Sequence, residues 1–244
     1  MSTTNQNDNN NKNEQNNISD SKFNSTLIEK SNINKTSYSI KIILLGDVSV
    51  GKTAIINRYI DGKFDDNYSC TINVQSRKKK ISFNQDISIE MSIWDTCGEE
   101  KFRAITRQYY RESNGILLVF DINRNKTFLN LTKWMKEIKE VAPKDVLIAL
   151  IGNKVDLKRE VNKNDVENFA EENNLIYYEI SAKDGINVDF AFEKLAKVII
   201  EKMKDENENR LKEKDDSIYD LTFEDIQTKS LDNIYGKKSN CCNK

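Results

Sequence analysis

The sequence predicts an α/β fold: an open, mostly parallel sheet with helices on both faces. Three observations predict it. Continuous apolar runs alternate with amphipathic helical patterns over about 165 residues, the arrangement that feeds parallel strands through helical crossovers. A G-x-x-x-x-G-K-[ST] pattern joins the first apolar run to the first helix. Two alternating runs separated by Asn84-Gln85 read as a hairpin that contributes one antiparallel edge strand.

Taken in order, SIKIILLG (39–46) is a strand buried on both faces. A helix follows from Gly51 to about Ile60. INVQSRKKKISF and DISIEMSIWD are the hairpin strands, and a short helix falls near 100–112. GILLVFDI (115–122) and VLIALIGN (146–153) are further buried strands. FLNLTKWMKEIKEV (128–141) places Leu131, Trp134 or Met135, and Ile138 at helical spacing. DVENFAEENN (165–174) is a helix and LIYYEIS (175–181) a strand. VDFAFEKLAKVIIEKM (188–203) is a helix with Phe190 or Ala191, Leu195 and Val198 on one side.

Composition narrows the function classes. Charge nearly cancels, with 38 basic against 39 acidic residues, so no long-range attraction to nucleic acid is expected. The absence of histidine removes His-based triads, zinc sites and proton shuttles. Four cysteines are too few and too scattered for a disulfide framework, which points to a reducing cytosol. No secretory signal begins the chain, and no apolar run reaches the roughly 18 residues of a membrane span. Residues 1–37 are rich in Asn and polar, and residues 204–244 are charged without an apolar period. Both are expected to be tails that bury too little apolar area to offset chain entropy, flanking one domain over 38–203.

Gly46-Asp47-Val48-Ser49-Val50-Gly51-Lys52-Thr53 lies between a buried strand and a helix, the setting of a phosphate-binding loop. Successive backbone N–H groups in such a loop curl around phosphate, aided by the helix N-terminus, here including Ala54. Lys52 supplies an ammonium to the outer phosphate oxygens, and the Thr53 hydroxyl can ligate Mg2+. The loop alone does not separate ATP from GTP. Asn153-Lys154-Val155-Asp156 and Ser181-Ala182-Lys183 each follow an apolar strand, where open α/β sheets bind ligands. A carboxylate at Asp156 can accept from guanine N1–H and the 2-amino group. Adenine offers neither donor, a mismatch worth about 10⁴–10⁵ in discrimination. The Lys154 stem is expected along the base plane, with the Ala182 N–H reaching the guanine carbonyl.

With these motifs in order, and with IWDT (93–96), KFRAIT (101–106), YYR (109–111) and LVFDI (118–122), the chain resembles the Ras-superfamily small GTPases, the Rab family most closely, over about residues 38–203. The resemblance implies a six-stranded sheet, GTP/GDP binding with Mg2+, and two switch segments ordered by the γ-phosphate. By position it implies that Phe64 stacks on guanine and that Tyr68 closes over the phosphates. Thr71 gives a hydroxyl to Mg2+, Asp95 holds the ion through water, and the Gly98 N–H meets the γ-phosphate. It also implies the family's partners: an exchange factor, a GTPase-activating protein, a GDP-dissociation inhibitor, an escort protein, a geranylgeranyl transferase and effectors. Such proteins work at the cytoplasmic face of an intracellular membrane and cycle with the cytosol.

Three residues near the γ-phosphate depart from the family pattern. Glu99 stands where Gln usually orients the attacking water; a carboxylate loses the amide donor and adds charge near the γ-phosphate. Val48 adds a branched side chain in a position usually held by Gly or Ser, and Ser49 replaces a usual Gly. If position 49 needs a positive φ, Ser there costs about 1–3 kcal/mol. These changes predict slow GTP hydrolysis with Lys52 and Glu99 as the catalytic pair; the alternative is a GTP-bound module with negligible turnover. Arg77–Lys80 reads either as a solvated strand edge or as a basic contact, and Asn73 and Gln75-Ser76 alter the effector face. Cys70 and Cys97 adjoin the switches. The closing Cys241-Cys242-Asn243-Lys244 resembles the family's doubly prenylated ending. Residues 201–240 hold 8 basic and 11 acidic side chains, so a second prenyl group rather than a polybasic patch has to complete the anchor.

Overall fold

Ile40, Ile42 and Leu44 point to one side of the first strand and Ile43 and Leu45 to the other, and all five are buried. That alternation requires a layer of helices on each face. The computed structural model describes residues 36–66, 71, 73–83, 85–99 and 106–209. Tyr68, Cys70, Cys241 and Cys242 lie outside the described residues, as do residues 1–35 and 210–244.

The strands are β1 (Thr36–Leu45), β2 (Gln75–Ser82), β3 (Ile87–Asp95), β4 (Gly115–Asp121), β5 (Leu147–Asn153) and β6 (Ile176–Ile180). They form a six-stranded sheet in the order β2-β3-β1-β4-β5-β6. Among the described strand pairs, β2–β3 alone is antiparallel. The helices are α1 (Lys52–Asp61), α2 (Asn125–Leu129), α3 (Leu131–Val141), α4 (Lys163–Glu172) and α5 (188–209). α1 and α5 cover one face, where Tyr59 stacks on Phe192 at 4.0 Å between ring centroids. α3 and α4 cover the other, where Trp134, Ile138, Val166 and Ala170 are buried against Ile43, Leu45 and Phe120. The doubly wound, mostly parallel sheet is the fold class that the alternating pattern predicts.

Several boundaries differ from the sequence reading. β1 starts at Thr36, within the segment read as tail, because its first residues pair with β3 from Ile87 onward. The helical run 128–141 is two helices, with Asn130 ending α2 and opening α3. α5 buries Ala191 and Leu195, whereas Phe190 is exposed against Tyr178 and Val198 is only partly buried. Its buried stripe also includes Val188, Phe192, Ala196, Ile199 and Ile200. α5 runs to residue 209, past the 203 read as the end of the domain.

The basic run of β2 is paired on both of its faces. Lys78 and Lys80 reach Glu90 at 2.7 and 3.3 Å. Arg77 bonds Asp61 at 2.7 Å, and Lys79 lies 3.6 Å over the Tyr59 ring. Its charge is therefore largely met by neighbours within the domain.

Candidate functional site

The glycine-rich loop sits at the C-terminal end of β1, and the packing around it leaves no room for side chains at its hinges. A Cβ on Gly46 would lie 2.1 Å from the Val119 carbonyl oxygen, and one on Gly51 would lie 2.3 Å from Asn153 Nδ2. Both glycines have positive φ, at 139° and 99°. Gly51 caps α1 without a side-chain acceptor, so the first N–H groups of the helix stay available to an anion.

Every carbonyl from Gly46 to Val50 accepts a hydrogen bond from a side chain. Lys52 Nζ donates to the Gly46 and Asp47 oxygens, each at 2.8 Å. Arg124 Nη2 donates to the Val48 oxygen at 3.1 Å, Lys154 Nζ to that of Ser49 at 2.9 Å, and Asn153 Nδ2 to that of Val50 at 2.9 Å. These bonds fix the orientation of each peptide in the loop, whose successive amides can form an anion-binding nest. The Asp47 carboxylate accepts Asn130 Nδ2 at 2.7 Å and Trp134 Nε1 at 2.8 Å, which ties the loop to α3. Ser49 has φ 59°, so the position does require the left-handed conformation that makes Ser costly.

Beside the loop, Thr53 Oγ1 lies 2.8 Å from Thr71 Oγ1 and donates to Asp95 Oδ2 at 2.7 Å. Thr71 Oγ1 is 3.5 Å from the same carboxylate oxygen. Asp95 Oδ1 is buried and has no hydrogen-bond partner among the described residues. Burial raises the Asp95 carboxyl above its ordinary value, and the Thr53 bond, the Lys52 charge and the Thr71 bond only partly offset it. An orphaned carboxylate oxygen beside two hydroxyls fits a small hard cation that keeps some of its waters, as Mg2+ does. Gly98 approaches the loop so closely that a Cβ there would lie 2.4 Å from the Val48 nitrogen.

A cleft of about 290 Å³ opens at the ends of β5 and β6, lined by Ala54, Phe64, Asn153, Lys154, Asp156, Leu157, Ala182 and Lys183 among others. The predicted base-recognition residues thus come together, with Phe64 and Leu157 giving it apolar walls. Asp156 accepts Ser181 Oγ at 2.6 Å, which aims the carboxylate. The Ala182 N–H, expected to face the base, donates to Asn153 Oδ1 at a long 3.2 Å. Val48 and Glu99 line a second groove, together with Gly98, Arg124 and Lys126. Cys97 is buried, which closes its thiol to solvent oxidants.

Sequence reasoning missed several of the residues that hold this site. Arg58 on α1 donates to the Ala182 oxygen at 2.8 Å and to the Lys183 oxygen, bracing the base-recognition loop. Asp121 and Arg124 brace the phosphate loop, and Asn130 and Trp134 hold Asp47. Two signals were present: a carboxylate ending the otherwise apolar β4, and a buried Trp whose N–H needs an acceptor.

A six-stranded doubly wound sheet with this loop defines a P-loop nucleotide-binding protein. A profile of the Ras family matches residues 41–201. Ras-related protein Rab-2B of Dictyostelium discoideum is 41% identical over 172 residues, covering 69% of this chain and 85% of that protein. Ras-related protein Rab-13 of Bos taurus is 42% identical over 162 residues, covering 66% and 79%. The chain belongs to the Ras family and is a small GTPase of the Rab type.

Proposed function

We propose that the protein is a GTP/GDP-regulated switch that recruits effectors to the cytoplasmic face of an intracellular membrane in vesicle traffic. The observation that carries this reading is the loop itself. Its five carbonyls each accept from a side chain, which fixes every peptide of the loop, and Thr53 just beyond it bonds Thr71 and Asp95. The loop's amides and Lys52 bind the phosphates. Thr53, Thr71 and Asp95 would hold Mg2+, which when bound would neutralise phosphate charge there. Asp156 selects guanine, Asn153 and Lys154 hold the base end of the cleft to the loop, and Phe64 covers the base. Thr71 and Gly98 connect the two switch segments to the γ-phosphate, so its loss releases them. Tyr68 belongs to the first of these segments.

Hydrolysis is slow. Glu99 replaces the water-orienting amide with a carboxylate, and Val48 lines the same groove, where it narrows the approach of an arginine supplied by an activating protein. Arg124 and Lys126 line the same groove, and their charge tempers the repulsion. An activating partner that brings its own arginine and glutamine overcomes the defect. In single-turnover assays, Glu99→Gln with Val48→Ser should hydrolyse GTP about tenfold faster or more, the scale of a lost 1.4 kcal/mol. Equal rates would remove the slow-hydrolysis reading. Wild-type turnover indistinguishable from zero even with an activating protein would favour a permanently GTP-bound effector-binding module.

An exchange factor reloads the switch, and a GDP-dissociation inhibitor and escort protein carry it through the cytosol. A geranylgeranyl transferase modifies Cys241 and Cys242. Two prenyl groups suffice for stable anchoring where one does not.

A further inference from the structure

We infer that Arg124, which lies in none of the nucleotide motifs, is a positioning residue for the phosphates. It holds the Val48–Ser49 peptide from outside the loop, so that the Ser49 N–H faces the nucleotide. The inference rests on the GTP-switch reading and adds a residue to it.

Asp121 ends β4, and its side chain is only 2% exposed. A carboxylate buried so deeply is costly unless it is well paired. Its Oδ1 accepts the Asn123 N–H at 3.0 Å. Its Oδ2 takes two cations, Arg124 Nε at 3.0 Å and Lys154 Nζ at 2.7 Å. Each cation then makes a second bond to the loop. Arg124 Nη2 reaches the Val48 oxygen, and Lys154 Nζ reaches the Ser49 oxygen. One buried carboxylate therefore aims two cations at two successive carbonyls.

None of the described peptide bonds is cis. In a trans peptide the N–H points opposite to the C=O. Fixing the Val48 carbonyl on the Arg124 side thus fixes the Ser49 N–H on the opposite, inward side. A carbonyl that accepts from a guanidinium also polarises its own peptide, making the N–H a stronger donor. The brace falls where the chain most needs it. Ser49 stands at φ 59°, a left-handed conformation that is costly for a non-glycine residue. Arg124 is a guanidinium with two separate directions of donation, so one side chain can serve Asp121 and Val48 at once.

The full-length protein loaded with fluorescent mant-GDP or GTP tests this. Arg124→Met keeps the stem and removes every donor; Arg124→Lys keeps a cation. The Met variant should release mant-GDP about tenfold faster and slow single-turnover hydrolysis by more than it weakens GDP binding. The Lys variant should recover at least part of both. A Met variant equal to wild type in release and hydrolysis, whatever its melting temperature, would overturn the inference. So would Met and Lys variants equally impaired, because that would mark a requirement for the arginine's shape in packing alone. Wild-type protein that fails to retain mant-GDP would instead overturn the GTP reading, and this inference with it.

Discussion

At the scale of single residues, the loop is controlled by polar side chains that arrive from distant parts of the chain. Asp47 is the clearest case. Its carboxylate would repel a phosphate if it turned inward, but Asn130 and Trp134 hold it toward α3. The Trp134 ring is fully buried in the core, and its single N–H is spent on Asp47. Trp134→Phe keeps most of the ring's packing and removes that donor. It should lower unfolding stability by about 1–3 kcal/mol, the cost of leaving a partly buried carboxylate short of a donor. Urea unfolding of the GDP-loaded protein reads this; an unchanged midpoint would show that Asn130 alone satisfies Asp47. Asp95 works in the opposite sense. Burial raises its carboxyl, so its ionised form is disfavoured while no cation is beside it. In that state its contribution to stability weakens as pH rises through its raised value, and cation binding removes the penalty.

At the scale of elements, the sheet and its two helical layers were legible in the sequence because hydrophobic periodicity reports directly on burial. β4, buried at every position, reads as a continuous apolar run, and α3 shows its stripe as Leu131, Trp134 and Ile138. The phosphate loop and the base-recognition residues were legible for a different reason. Each is a short local pattern whose chemistry depends on spacing along the chain. What was not legible joins positions far apart. The Arg124 bond to the loop spans 76 residues and the Trp134 bond spans 87. No window of sequence contains both partners, so such contacts leave no local pattern. The break at Asn130 belongs to the same class. Its neighbours give the run a helical period, and its own side chain is engaged by Asp47 across the molecule. Between Phe190 and Ala191, which the sequence leaves open, the structure buries Ala191 and sets Phe190 at the exposed edge of α5 against Tyr178.

At the scale of the whole molecule, we propose that the nucleotide-binding domain is held at a membrane by its lipidated end. Cys241 and Cys242 stand beyond the described residues, and the 40 residues that lead to them hold more acidic than basic side chains, 11 against 8. Replacing both cysteines by serine should move the protein wholly into the soluble fraction of fractionated cells. Persistent membrane association of that double variant would refute prenylation as the anchor.

The central claim is that the loop, its cation site and the cleft at β5 and β6 form one site for guanine nucleotide, slow to turn over. The most direct measurement is the nucleotide released from full-length protein purified from cells in Mg2+, separated by chromatography. The account predicts close to one guanine nucleotide per chain, with a higher GTP:GDP ratio than in the Glu99→Gln, Val48→Ser variant. Adenine nucleotide, or protein that carries none and takes up none when offered GTP, would contradict it.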